Sequence, residues 1–152
     1  MGGRRILPSR APGEAGQALV EFAFALIPFL VLLMGLVDVG RGIYMLNGTS
    51  EAAREIARVT AVHPYDSCCD LGSGSQAQAV IATQRGLIPA LLINPSTDIS
   101  CVDINDATIP DNECRPGDFV KVHLTASYQP ITPLVSSFLR PTFESYARVQ
   151  VP

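Results

Sequence analysis

Residues Ala18 to Val37 read ALVEFAFALIPFLVLLMGLV, 20 residues in which Glu21 carries the only charge. As an α-helix such a run rises roughly 30 Å, which matches the hydrocarbon thickness of a bilayer. A buried core helix is the competing assignment, but the run is apolar on every face and lies close to the N-terminus. We therefore expect a membrane-spanning helix over residues 17–40, with Pro28 kinking it because the ring removes one backbone hydrogen bond and crowds the preceding turn.

The flanks set the direction. Arg4, Arg5 and Arg10 precede the apolar run against a single acid, Glu14, so the positive-inside rule leaves the N-terminus in the cytoplasm and exports the C-terminal part of the chain. A cleaved secretory signal fits less well, since the run is long and Asp38, Val39, Gly40 and Arg41 stand where a small-residue cleavage site belongs. No cysteine sits near the run to accept a lipid. Residues 1–16, MGGRRILPSRAPGEAG, read as a basic leader peptide and residues 41–152 as an exported α+β globular domain.

The chain has 152 residues, room for one domain and an anchor. All four cysteines, Cys68, Cys69, Cys101 and Cys114, come after the helix, and an even number in an exported domain points to disulfides. Three pairings are possible. Cys101 with Cys114, which closes a short acidic loop, is the favoured pairing, but it leaves a strained vicinal Cys68–Cys69 bridge, and the crossed pairings stand about equally open. A net charge of −3 gives no basic face for phosphate, so nucleic acid is not an expected partner.

Beyond the membrane segment the helical pattern continues to His63 and Pro64. Met45, Ala52, Ile56 and Val59 form an apolar stripe, with Glu51, Arg54, Glu55 and Arg58 on other faces. Gly48 and Ser50 allow a break near Asn47 into two helices. A second helix is expected over residues 75–93, although Gly86 and Pro89 weaken it. Strands are expected at Ile99–Ile104, Asp118–Tyr128 and Phe143–Val151, with Pro116 and Gly117 turning the chain into the middle one. The Pro-rich connection QPITPLVSSFLRP between the last two leaves room for a helical turn. The fold class expected is α+β, a long kinked N-terminal helix on a small antiparallel sheet with a second helix.

Chemistry-bearing constellations are sparse. His63, Cys68, Cys69 and His123 match no zinc spacing, so no metal or cofactor is expected. Asp98, Asp103, Asp106, Asp111, Glu113 and Asp118 crowd the Cys101–Cys114 loop, but their irregular spacing reads as a solvated acidic loop rather than a calcium site. Neither a Gly-x-Ser-x-Gly elbow nor a phosphate loop is present, and no enzyme is expected.

One constellation stands out at the helix mouth, Gly16-Gln17-Ala18-Leu19-Val20-Glu21-Phe22. A carboxylate inside a bilayer costs about 2.5–3.5 kcal/mol on insertion scales, so Glu21 needs a partner. Cleavage after Gly16 would create an ammonium at Gln17, one helical turn from Glu21 or beside that of a neighbouring helix. The pattern resembles the cleavage motif of type IV prepilins. More narrowly, GQALVEFAFALIPFLVLLMGLVDVGR, with Pro28, Asp38 and Arg41, resembles the TadE-like family of the tight adherence pilus over about residues 16–58, and EAAREIAR and VKVHLTASYQPITPLV resemble it less specifically.

That resemblance implies a minor pilin or pseudopilin processed by a prepilin peptidase between Gly16 and Gln17. Its implied partners are other pilins and minor pilins, the peptidase, the inner-membrane assembly platform and membrane lipid. Phe22 after Glu21, and about 110 residues after the membrane helix, separate it from the small major pilins of this system. The alternative is an uncleaved, single-pass envelope protein that binds or assembles partners from the membrane.

Overall fold

The computed structural model describes residues 12–64, 74–88, 90–110, 113–132, 136–138 and 140–152. Arg4, Arg5, Arg10, Cys68, Cys69 and Asp111 lie outside the described residues. The chain divides between Val37 and Asp38 into two compact units. One long helix, α1 (Pro12–Val62), supplies the first unit and the opening element of the second. It begins five residues before the expected start at Gln17, and Pro28 lies inside it.

In the first unit, large apolar side chains such as Leu19, Phe24, Ile27 and Leu32 are exposed. Side chains of this kind are covered by lipid or by protein in any stable state. The segment is long and apolar enough to cross a membrane and is compatible with a single-pass anchor.

In the second unit, residues 38–62 of α1 pack on a sheet. Alanines at positions 52, 53, 57 and 61 favour the helix, and Glu55 pairs with Arg58 at 2.8 Å on its exposed side. Met45, Thr49, Ala52, Ala53, Ile56, Ala57, Thr60 and Ala61 are buried, a spacing of alternating threes, fours and ones that describes one helix face. The expected stripe covered part of this face, with Val59 only half-buried at its margin. The face is built mainly from small side chains, and its apolar members belong to the same buried core as Val120, Val122, Leu124 and Ala126 of the sheet.

The break considered near Asn47 does not occur. Thr49, fully buried, donates its Oγ1 to the Met45 carbonyl at 2.8 Å, and a Cβ placed on Gly48 would meet Ile88 at 3.5 Å. Packing of this stretch therefore overrides the weak helix preference of Asn, Gly, Thr and Ser.

Four antiparallel strands form the sheet: β1 (Leu91–Leu92), β2 (Ile99–Val102), β3 (Phe119–Ser127) and β4 (Thr142–Gln150). β3 is central. All nine of its residues pair with β4, while β1 and β2 share its other side end to end. Val120, Val122, Leu124 and Ala126 alternate into the core, where Ile56, Ile81 and Ile99 also lie fully buried. Pro116 and Gly117 make the entry turn, with Gly117 at φ 102° and the Asp118 amide donating to the Arg115 carbonyl at 3.0 Å.

Three expectations need correction. The second helix, α2 (Ser75–Leu87), does not reach Ile93. Ile88 turns extended (φ −114°, ψ 102°), as a residue before proline is forced to do, and Leu91–Leu92 join the sheet instead. The strand expected over Ile99–Ile104 stops at Val102, because the Asp103 Oδ1 accepts the amides of Asn105 and Ala107, each at 2.8 Å, and bends the chain. A short helix, α3 (Pro95–Asp98), was not expected; Asn94 caps it by accepting the Ser96 amide, with Pro95 at its first position.

The acidic loop is fastened to the outer face of the sheet. Arg148 lies 3.8 Å over the Phe119 ring and donates to the carbonyls of Asp103 and Ile104, while Lys121 pairs with Asp106. The loop amide of Ala107, bonded to its carboxylate, is the main reason the Asp103 pKa falls below the usual carboxylate range. Beneath the loop, Cys101 and Cys114 form a buried disulfide with a Cα–Cα separation of 5.5 Å. Replacing both by serine reopens a chain segment of 13 residues, and we predict a loss of about 3 kcal/mol in urea unfolding. An unchanged unfolding midpoint in the double variant contradicts this.

Candidate functional site

The sequence-derived residues fall into two groups. Near the start of α1, the Gln17 Nε2 donates to the Glu21 Oε1 at 3.1 Å, the i, i+4 geometry of one helical turn. Both side chains are exposed, and a Cβ placed on Gly16 meets nothing within 4 Å. Pro28 makes no polar contact that would add chemistry.

The second group is built around Asp38, which comes directly after the apolar run yet is buried. Donors converge on its carboxylate from a segment some 90 positions away. Ile131 donates its backbone N–H to Oδ1 at 2.9 Å and Thr132 its backbone N–H to Oδ2 at 2.8 Å. The Thr132 hydroxyl also donates to Oδ2, and the Tyr128 hydroxyl to Oδ1 at 3.1 Å. Tyr128 bonds the Asp38 backbone carbonyl as well, at 2.8 Å. That carbonyl and carboxylate are thus held by one short stretch of chain at the end of β3.

Arg41, one turn further along α1, completes the cluster. Its Nη1 lies 3.6 Å from the Asp38 Oδ1 and its guanidinium 5.5 Å from the centre of the Tyr128 ring. Burial, and then the neighbouring Asp38 carboxylate, push the Tyr128 phenol above its ordinary pKa, so it stays a hydrogen-bond donor at neutral pH. Tyr128 in turn bonds through its backbone N–H to the Pro141 carbonyl at 2.9 Å, linking the cluster to the start of β4. An open groove of about 610 Å³ runs beside it, lined among others by Arg41, Tyr44, Leu87, Tyr128 and Ile131.

Chemically this is a clamp. A carboxylate whose oxygens are already occupied by four donors and an arginine has no free lone pair aimed at a substrate. Other candidates do not assemble. His123 stacks on Tyr146 at 4.4 Å and lies 3.7 Å from a Glu144 carboxylate oxygen, while His63 is exposed at the end of α1. Asp98 accepts the Asn94 amide and Asp118 the Arg115 amide, so these acids shape their own turns. Among the described residues no three His, Cys, Asp or Glu side chains gather into a metal-sized group.

The α1 residues of both groups lie in a stretch that is similar to a known family. Residues 16–58 match the family of TadE-like proteins. The match takes in Gly16, Glu21, Pro28, Asp38 and Arg41, and it ends inside α1. No curated protein and no solved structure matches the chain. The TadE-like segment therefore contributes one half of the clamp, Asp38 and Arg41, and the remainder of the chain contributes Tyr128, Ile131 and Thr132. These three partners were not named as site candidates, although they lie in VKVHLTASYQPITPLV, the later segment that resembles the same family less specifically.

Replacing Asp38 by alanine removes the acceptor of the Ile131 and Thr132 amides and of the Thr132 hydroxyl, while the Tyr128 hydroxyl keeps the backbone carbonyl of residue 38. We predict that the urea midpoint of the globular unit falls by roughly 1 M, with Tyr128→Phe losing about half as much. Equal midpoints for wild type and Asp38→Ala contradict the clamp.

Proposed function

We propose that the chain is a minor pilin or pseudopilin of a tight adherence pilus, a structural subunit that helps to initiate, cap or assemble the filament. The observation that carries this reading is the TadE-like match over residues 16–58, whose start coincides with Gly16 and whose Glu21 sits at the mouth of a fully apolar helix. In this reading the leader of residues 1–16 is removed by a prepilin peptidase in the bacterial inner membrane. Residues 17–40 hold the mature subunit in the bilayer, and residues 41–152 project on the exported side.

Assembly then uses side-by-side packing of the apolar helices of different subunits. Glu21 neutralises the ammonium created at Gln17 of its own or a neighbouring chain, which offsets the cost of carrying a carboxylate in an apolar layer. The existing Gln17–Glu21 contact supports this role, since it places the two residues within one turn of each other on one side of the helix. Other pilins, the peptidase and the inner-membrane platform are the partners this function requires.

One observation favours the uncleaved, membrane-anchored alternative: α1 begins at Pro12 and passes through the Gly16–Gln17 bond without interruption. Cleavage there requires local unwinding of the helix start. The two readings separate on the N-terminus of membrane-extracted protein, which is Gln17 for the pilin.

Gly16→Leu meets open space, so it leaves the fold intact and reports on processing alone. We predict that Gly16→Leu retains its leader and is absent from filaments. Glu21→Ala is inserted and processed, but its filament-associated fraction falls several-fold. Wild-type levels of assembled Glu21→Ala contradict the neutralisation mechanism, and a wild-type chain still beginning at residue 1 contradicts the pilin reading.

A further inference from the structure

The last strand leaves one edge of the sheet open, since among the described residues β4 pairs with β3 alone. β4 runs nine residues, Thr142–Gln150, in unbroken register with β3. The opposite edge of the sheet is divided between β1, of two residues, and β2, of four. Exposed edges are ordinarily blunted by brevity, proline, lysine or a bulge, and β4 has none of these over residues 142–150.

The backbone groups on the open edge can be named. The Val151 amide donates to the Asp118 carbonyl at 2.8 Å and the Tyr128 amide to the Pro141 carbonyl at 2.9 Å, so the odd-numbered residues of this run bond toward β3. In an antiparallel ladder the alternate residues direct N–H and C=O away from the partner. These are Thr142, Glu144, Tyr146, Arg148 and Gln150, and the side chains of all of them are exposed.

Their order is complementary to itself. Tyr146 is the midpoint of β4, with Glu144 two positions before it and Arg148 two positions after. When two copies of the strand run antiparallel about Tyr146, the outward residues of one meet those of the other along the whole strand. Glu144 of each copy then stands opposite Arg148 of the other, Thr142 opposite Gln150, and the two Tyr146 rings lie side by side. A slip of two residues also pairs outward groups, but it removes both opposite-charge pairs and leaves strand ends unpaired. Parallel pairing in full register sets like charges together. Arg148 already donates to the Asp103 and Ile104 carbonyls, and a guanidinium, with five N–H donors, has capacity for a carboxylate as well.

We propose that the open edge of β4 binds the same edge of a second copy, forming a two-fold antiparallel pair of strands centred on Tyr146. The interface is isologous, so it closes at a dimer. Charge complementarity within the one strand is what selects a second copy as the occupant. The proposal concerns residues 38–152 alone and stands whether or not the chain is a pilin.

The test is sedimentation of the full-length protein in density-matched detergent micelles. Wild type is expected to dimerise, and Glu144→Arg to raise the dimer Kd at least about tenfold, because two opposite-charge pairs become two like-charge pairs. Tyr146→Pro should abolish the dimer while leaving the β3–β4 ladder intact, since the lost N–H points away from β3. An equimolar mixture of Glu144→Arg with Arg148→Glu should associate again, because each chain then presents a single sign to the other. Should Arg148→Glu misfold, oxidative cross-linking decides the register in a background with Cys68 and Cys69 replaced by serine. Tyr146→Cys lies opposite its own copy at a Cα separation of about 5.5 Å and should cross-link, whereas Thr142→Cys should not.

A monomeric wild type overturns the proposal. A dimer that withstands both Glu144→Arg and Tyr146→Pro is held by another surface, such as the apolar helix, and overturns it too. A mixture no tighter than its well-folded components, or equal cross-linking at positions 142 and 146, overturns the register and with it the proposal.

Discussion

A charged side chain immediately after a bilayer-length apolar helix has to be solvated, paired or buried with donors, and Asp38 takes the last course. The donors come from the end of β3 and the stretch after it, 90 or more positions along the chain. Because amides donate only where the backbone points, the two N–H groups of Ile131 and Thr132 fix the path of the chain as well as the side chain. Arg41 balances the charge from the next turn of α1. The rest of the globular unit is arranged around this attachment of helix to sheet.

Packing adds to the clamp. The buried face of α1 beyond Asp38 carries Thr49, Ala52, Ala53, Ala57, Thr60 and Ala61 around the larger Met45 and Ile56, and its apolar members share one core with the inner side chains of β3. β3 itself pairs along its full length with β4 and, on its other side, with β1 and β2. The disulfide at Cys101 and the pinned acidic loop secure the end of the sheet that the clamp does not reach. Each of these contacts uses a different chemistry, and none of them fixes the helix to the strand end as Asp38 does.

The elements with strong periodicity were legible from sequence: the apolar run, the continuation to His63, and the alternating β3 with its Pro116–Gly117 turn. Elements decided by a single local residue were less so. Pro89 cut α2 short and Asp103 cut β2 short, and in both cases the residue was visible while its priority over the surrounding pattern was not. The two-residue β1 has too little sequence to show a period. At the candidate site, Gly16, Glu21, Asp38 and Arg41 could be selected because they lie in one contiguous motif. Tyr128 and Thr132 lie in the later family-like segment VKVHLTASYQPITPLV, but a contact spanning 90 or more residues leaves no local spacing that would pair them with Asp38.

The same division runs through the functional reading. A motif at the start of α1 points to how the chain is handled, and the clamp at Asp38 explains how the second half of α1 is fastened to the end of β3. Amide hydrogen exchange tests that clamp most directly. In wild-type protein the Ile131 and Thr132 amides should exchange as slowly as those of Val122 and Leu124 in the core. In Asp38→Ala they should exchange by local opening, faster by on the order of a hundredfold, while the core amides of β3 remain comparatively protected. Equal protection of Ile131 and Thr132 in the two proteins would contradict the central place given to Asp38.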